Sequence, residues 1–199
     1  MTQRPLDATS IVPFLADIFE RRGAEEYLGE PVSMAEHMQQ GAWFAEEEKA
    51  SEALVAAALL HDIGHFTSEF GAYSPDDTQD KHHDEAGAEL LAPFFPALVT
   101  ECVRLHVAAK RYLCATDAGY AAKLSAASAH TLSLQGGPMN AAEIAAFRQN
   151  PHHADAVRVR LWDEAGKVAG MRTRSFADYA PLLQRVVEQH LGHKGAEAR

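Results

Sequence analysis

Histidines and aspartates are the residues with chemistry to offer in this chain of 199 residues, eleven of which are histidine. The run His61-Asp62-Ile63-Gly64-His65 sets an imidazole beside a carboxylate at the end of the strongly apolar segment 53–60. Adjacent side chains on a helix diverge by about 100°, so such a pair grips one ion only where the helix ends and the backbone turns, which Gly64 permits. An imidazole with a carboxylate suits iron, manganese or zinc, and the two carboxylate oxygens can bridge a pair of ions.

One His-Asp dipeptide decides nothing alone. Three further histidines and a late aspartate add to it. His37 has Gly41 and Phe44 on its helical face, so a small residue one turn on leaves space beside the imidazole. His83 opens a helix next to His82, and His106 lies inside the apolar run 98–109, where an unpartnered imidazole is costly to bury. His37, His61-Asp62, His83, His106 and Asp163 on separate helices are what a metal site in a bundle core needs.

A second set of polar residues shares faces with the first. Ser128, Thr131 and Gln135 stand at i, i+3 and i+7. Lys110 follows His106 by one turn, and Arg160 precedes Asp163 by three residues. Two cations and three hydrogen-bonding side chains form a cradle that suits a tetrahedral dianion better than a carboxylate or a sugar.

The elements that must position these residues are helices. Ala, Leu, Glu and Gln fill most windows at helical period and strand signals are nearly absent. Capping boxes read at Ser33/Glu36 and Asn140/Glu143, more loosely at Ser175/Asp178, and stops at Gly64, Gly136-Gly137-Pro138 and Gly192. Helices are expected near 10–22, 33–48, 51–62, 83–92, 96–109, 117–134, 140–149, 153–164 and 175–191, with loops at 66–81 and 165–174. The expected fold is all-α, a helical bundle in a single domain over 1–199 with its metal core at about 27–179.

With 47% hydrophobic and 23% charged residues, the composition is that of a globular protein. The formal net charge of −10 argues against nucleic acid or an anionic membrane as partner. The longest apolar stretch is too short to span a bilayer and the N-terminus lacks a signal-peptide pattern. A cytoplasmic location is expected, with Cys102 and Cys114 as free thiols; the sequence leaves the oligomeric state open.

The residues His37, His61-Asp62 and Asp163 form the metal signature of the HD superfamily, and His83 with His106 match its di-metal members. More narrowly, the segments Tyr27-Leu28-Gly29-Glu30, HDIGHF (61–66), HVAAKRYL (106–113), LQGGPM (134–139) and RLWDEAGK (160–167) resemble the HD-domain mixed-valence di-iron oxygenases. These cleave the carbon–phosphorus bond of 1-hydroxyphosphonates. The resemblance implies two iron ions, an Fe(II)/Fe(III) pair: one held by His37, His61, Asp62 and Asp163, the other by the bridging Asp62 with His83 and His106. His83 is preferred to His82 because the family's glycine follows its histidine by four residues, as Gly87 follows His83. It also implies that Tyr27 closes onto the second iron when substrate is absent, that Glu30 meets the substrate's amino end, and that His65 touches substrate. Lys110, Ser128, Thr131, Gln135 and Arg160 would grip the phosphonate.

The implied reaction is an O2-dependent oxidation giving phosphate and a carboxylic acid, a step of organophosphonate catabolism. Two substrates stay open: the primary amine 2-amino-1-hydroxyethylphosphonate, giving glycine, and its N-trimethyl analogue, giving glycine betaine. A quaternary ammonium wants aromatic faces, for which Tyr27, Trp43, Phe44, Phe70 and Tyr73 are candidates. The rival class is an HD phosphohydrolase acting on a phosphate monoester or nucleotide through metal-activated water. It needs only the superfamily's own ligands and leaves Tyr27, HVAAKR and QGGPM unexplained. A non-catalytic metal-dependent binding module ranks third.

Overall fold

The computed structural model describes residues 5–67 and 78–197, with side chains to His193. Among them the regular structure is all helical: α1 (Ile11–Arg22), α2 (Met34–Glu47), α3 (Glu52–Leu60), α4 (Gly64–Thr67), α5 (His83–Leu91), α6 (Ala97–Thr116), α7 (Ala118–Ala121), α8 (Ala126–Leu134), α9 (Ala141–Gln149), α10 (His153–Ala165) and α11 (Phe176–Glu197).

Both full capping boxes close as the sequence predicts. The Ser33 hydroxyl accepts from the Glu36 amide while the Glu36 carboxylate takes the Ser33 amide, and Asn140 and Glu143 repeat the exchange. Ser175 and Asp178 bond reciprocally as well.

Three expectations are corrected. The helix expected over 117–134 is broken at 122–125 into α7 and α8, because Asp117 caps one and the Ser125 hydroxyl, accepting from the Ser128 amide, starts the other. The helix expected to end at 109 runs to Thr116 and stops at Asp117, whose backbone turns extended (φ −133°, ψ 100°). Gly192 stops nothing: it stands inside α11 with open space where a side chain would go.

Helix α3 is the spine. Leu54 to Leu60 are all buried, so the helix is apolar on every side, as a segment enclosed by neighbours must be. It packs against α2, α6, α10 and α11. Gly41 has a different role from the one expected. It lets the backbones of neighbouring helices approach, since a Cβ there would stand 3.4 Å from the Ala58 carbonyl oxygen and 4.0 Å from that of Trp162.

Gly64 is demanded by packing more than by turning: a Cβ would lie 1.8 Å from the His83 carbonyl oxygen. This contact seats the start of α5 directly on the His61–His65 corner. The turn at Gly136 (φ +93°) and Gly137 (φ +72°) has the left-handed backbone that favours glycine. Arg111 Nε donates to the Gly137 carbonyl at 2.8 Å, and the Met139 amide donates to the Arg111 carbonyl at 3.2 Å, which ties the end of α8 to α6. Both cysteines are free; Cys102 is buried and Cys114 half-buried.

Candidate metal centre and anion cradle

Two pairs of histidines face each other across one aspartate. His37 Nε2 and His61 Nε2 are 3.0 Å apart, as are His83 Nε2 and His106 Nε2. Asp62 Oδ2 faces the first pair at 3.6 and 3.5 Å, and Oδ1 faces the second at 3.4 Å to each ring. Asp163 Oδ1 closes on the first pair, 3.5 Å from His37 and 3.9 Å from His61. Among the six, His83 is the most exposed, at 8%. His82 is excluded from the cluster by geometry: its backbone is left-handed (φ 49°), and its ring points outward beside Asp80 with 66% of the side chain exposed.

The donor set fits metal ions. His37 Nδ1 donates to the Gly166 carbonyl at 2.9 Å, His61 Nδ1 to Ala58 at 2.8 Å and His106 Nδ1 to Val103 at 2.6 Å. A carbonyl only accepts, so these Nδ1 atoms carry hydrogen and turn the Nε2 lone pairs inward. Two lone pairs at 3.0 Å call for positive charge between them, which a proton or a metal ion can supply. Two nitrogens bound at right angles to one ion at about 2.1 Å would stand about 3.0 Å apart. Among the described residues Asp62 Oδ2 and Asp163 Oδ1 are buried without a hydrogen-bond donor, which marks both oxygens as waiting for positive charge.

The electrostatics agree. Burial opposes charge on His61, yet Asp62 lifts its pKa to about 9. Burial likewise works against the Asp62 carboxylate, and the histidines, His61 foremost, hold it well below the usual range. Burial pushes His83 down to about 3 and lowers His65, so both rings stay neutral. His65 stacks on His83 (centroids 4.0 Å, 15°) with Nε2 3.9 Å from Asp62 Oδ1.

A cavity opens on this cluster, lined by Tyr27, Leu28, Asp62, His65, residues 79–81, His83, His106, Lys110, Ser128, Thr131, Gln135, Arg160 and Asp163. Every expected cradle residue is therefore present. Lys110 Nζ donates to Thr131 Oγ1 at 2.8 Å, and burial, with Arg160 nearby, lowers its pKa to about 7. Arg160 donates to Tyr120 Oη at 2.7 Å and pairs with Asp163 and Glu164. Among the described residues the Gln135 Oε1 atom is buried without a hydrogen-bond partner.

Tyr27 stacks on His37 (centroids 3.7 Å, 14°), and burial, reinforced by Asp62, raises its phenol well above 10. Glu30 does not line this cavity. It sits behind Leu28, in a neighbouring depression with Ser125 and His130, 3.7 Å from Lys167. Of the aromatic candidates, Trp43 and Phe44 pack on each other away from the cavity; Phe70 and Tyr73 lie outside the described residues.

Sequence reasoning missed Tyr120, Glu164 and Lys167. Lys167 Nζ donates to Ser128 Oγ at 2.9 Å and pairs with Glu164 at 3.1 Å. Lys167 lies two residues past the end of α10, beyond the helical period that groups Arg160 with Asp163 and Glu164. Tyr120 is 40 positions from Arg160 and carried no signal.

Comparison with known proteins matches this arrangement. The HD domain model fits residues 32–164. The chain is 58% identical over 187 residues to the [1-hydroxy-2-(trimethylamino)ethyl]phosphonate dioxygenase (glycine-betaine-forming) of Leisingera caerulea, covering 94% of this chain and 95% of that one. It is 41% identical over 178 residues to the hydroxymethylphosphonate dioxygenase of Gimesia maris, covering 89% and 88%. The chain belongs to the HD-domain family, within the group that holds these phosphonate dioxygenases.

Proposed function

We propose that the chain cleaves the C–P bond of a 1-hydroxyphosphonate with O2, acting on 1-hydroxy-2-(trimethylammonio)ethylphosphonate to give glycine betaine and phosphate. The observation that carries this reading is the junction of two half-sites at Asp62, one oxygen to each histidine pair, directly beneath a cavity walled by Lys110, Arg160, Ser128 and Thr131. The quaternary ammonium is preferred to the primary amine because the Leisingera relative, which acts on the trimethylamino compound, matches along nearly the whole chain.

His37, His61, Asp62 and Asp163 would hold one iron, and Asp62, His83 and His106 the other. Bound as a mixed-valence Fe(II)/Fe(III) pair, they would supply the one-electron chemistry that activates O2. The chain's own residues do the positioning. Lys110, Arg160, Thr131, Ser128 and Gln135 fix the phosphonate, whose charge they offset in a dry pocket. His65, neutral and stacked on His83, offers a nitrogen to the substrate hydroxyl. Tyr27 walls the cavity from the His37 side and excludes water.

The test is phosphate release from the trimethylammonio compound by iron-loaded protein, with and without O2. Release that requires O2, with glycine betaine as co-product, is expected. Release in its absence would establish hydrolysis and defeat the reading.

A further inference from the structure

The Tyr27–Glu30 segment is a tight turn. The Glu30 amide donates to the Tyr27 carbonyl at 2.7 Å, and both central residues, Leu28 (φ 52°) and Gly29 (φ 76°), have left-handed backbone. Leu28 faces the cavity over the histidines and also the depression that holds Glu30. Glu30 Oε1 is buried and accepts no hydrogen bond among the described residues; Lys167 Nζ stands 3.7 Å away. Lys167 is committed elsewhere, donating to Ser128 Oγ at 2.9 Å and pairing with Glu164 at 3.1 Å. Glu164 in turn is paired with Arg160. Glu30 is thus a half-buried carboxylate, one oxygen withdrawn from solvent, with a loosely placed counter-ion, next to the pocket that would take a substrate bearing a fixed positive charge.

We infer that Lys167 is a specificity-determining positioning residue: it neutralises Glu30 in the absence of a cationic substrate, and the substrate's ammonium group competes with it for that carboxylate. This rests on the proposed function. A substrate cation that reaches Glu30 must displace one ammonium to gain a carboxylate, so Lys167 discounts the value of positive charge on the substrate. A phosphonate without a cation benefits instead, because Lys167 screens Glu30 from the incoming dianion. Lys167 also supports Ser128, but that support serves the phosphonate end shared by all substrates and cancels in a ratio.

The test compares 1-hydroxy-2-(trimethylammonio)ethylphosphonate with hydroxymethylphosphonate, which lacks the cation, as the ratio of kcat/KM and as the ratio of Kd measured without O2. Lys167→Met should shift both ratios toward the cationic compound by about tenfold, and by at least threefold, as removal of one close charge from a largely buried pair would. Lys167→Gln keeps a donor on Ser128 and carries the same expectation should the methionine variant not fold; Lys167→Arg should keep the parental ratios. In a Glu30→Gln background, Lys167→Gln should leave them unchanged. A shift below threefold, a shift toward hydroxymethylphosphonate, or a shift that persists without Glu30 would overturn the inference. Absence of O2-dependent turnover by the parent protein would instead defeat the functional reading, and the Kd ratios would still judge Lys167.

Discussion

Arg160 and Asp163 share an ion pair in which the guanidinium takes Oδ2 and leaves Oδ1 for His37 and His61. Burial opposes the Asp163 charge, but Arg160 holds its pKa well below the usual carboxylate range. One arginine thereby orients a candidate ligand and walls the anion cavity. Arg160→Met should cost the folded protein about 3–5 kcal/mol, since Asp163 and Glu164 lose their buried partner. It should also weaken metal loading by roughly 10- to 100-fold, as for other groups that orient ligands. Denaturant unfolding and metal content check both, and Arg160→Lys, unable to reproduce the two-pronged contact, should rescue little.

The division of Asp62 between two histidine pairs predicts stoichiometry. The parent should bind two ions per chain, His83→Ala or His106→Ala should leave about one, and Asp62→Ala should deplete both sites. His82→Ala, removing a ring that points to solvent, should leave the metal count at the parental value.

Lys110 predicts a pH dependence. Its pKa, lowered to about 7 by burial and by Arg160, means that its charge is lost as pH rises through neutrality, so on the proposed role of Lys110 in phosphonate binding KM should climb between pH 6.5 and 8. Lys110→Arg, charged throughout, should lack that climb, and the comparison removes the substrate's own titration. Stability moves in the opposite sense. Between about pH 7 and 10 the unfolded chain holds a proton on Lys110 that the folded chain lacks, so metal-free protein should gain stability with rising pH across that window.

Two glycines predict opposite outcomes. Gly64→Ala would push a methyl into the His83 carbonyl, costing more than ~3 kcal/mol by displaced packing and moving His83 out of its pair. Gly192→Ala meets nothing within 4 Å inside α11 and should add about 0.5–1 kcal/mol. Thermal unfolding separates the two.

Much of the site was legible because its residues carry local signatures. His61-Asp62 sits where an apolar helix ends, and Gly87, four residues after His83, packs against Gly64 with little room for a Cβ; the family resemblance, through that glycine, separated His83 from His82. The capping boxes at Ser33 and Asn140 were equally local. The break between α7 and α8 was not, because Ser125 lies among alanines that read as continuous helix. Glu30 came only with the family resemblance, and the left-handed Leu28-Gly29 turn that sets it beside Lys167 has no period to show it in the sequence. Tertiary partners such as Tyr120 on Arg160 have no period to betray them.

Three successive buried alanines, Ala56 to Ala58, lie in α3 one turn before the His61-Asp62 corner, and Gly41 crosses the Ala58 carbonyl. The gauge of the candidate metal centre would then follow the thickness of its scaffold. Lengthening one of these methyls would pry the donor-bearing rods apart and leave every ligand in place on a span too wide for its ions. Variants in that stretch could tune ion-to-ion separation while leaving all coordinating side chains as they are.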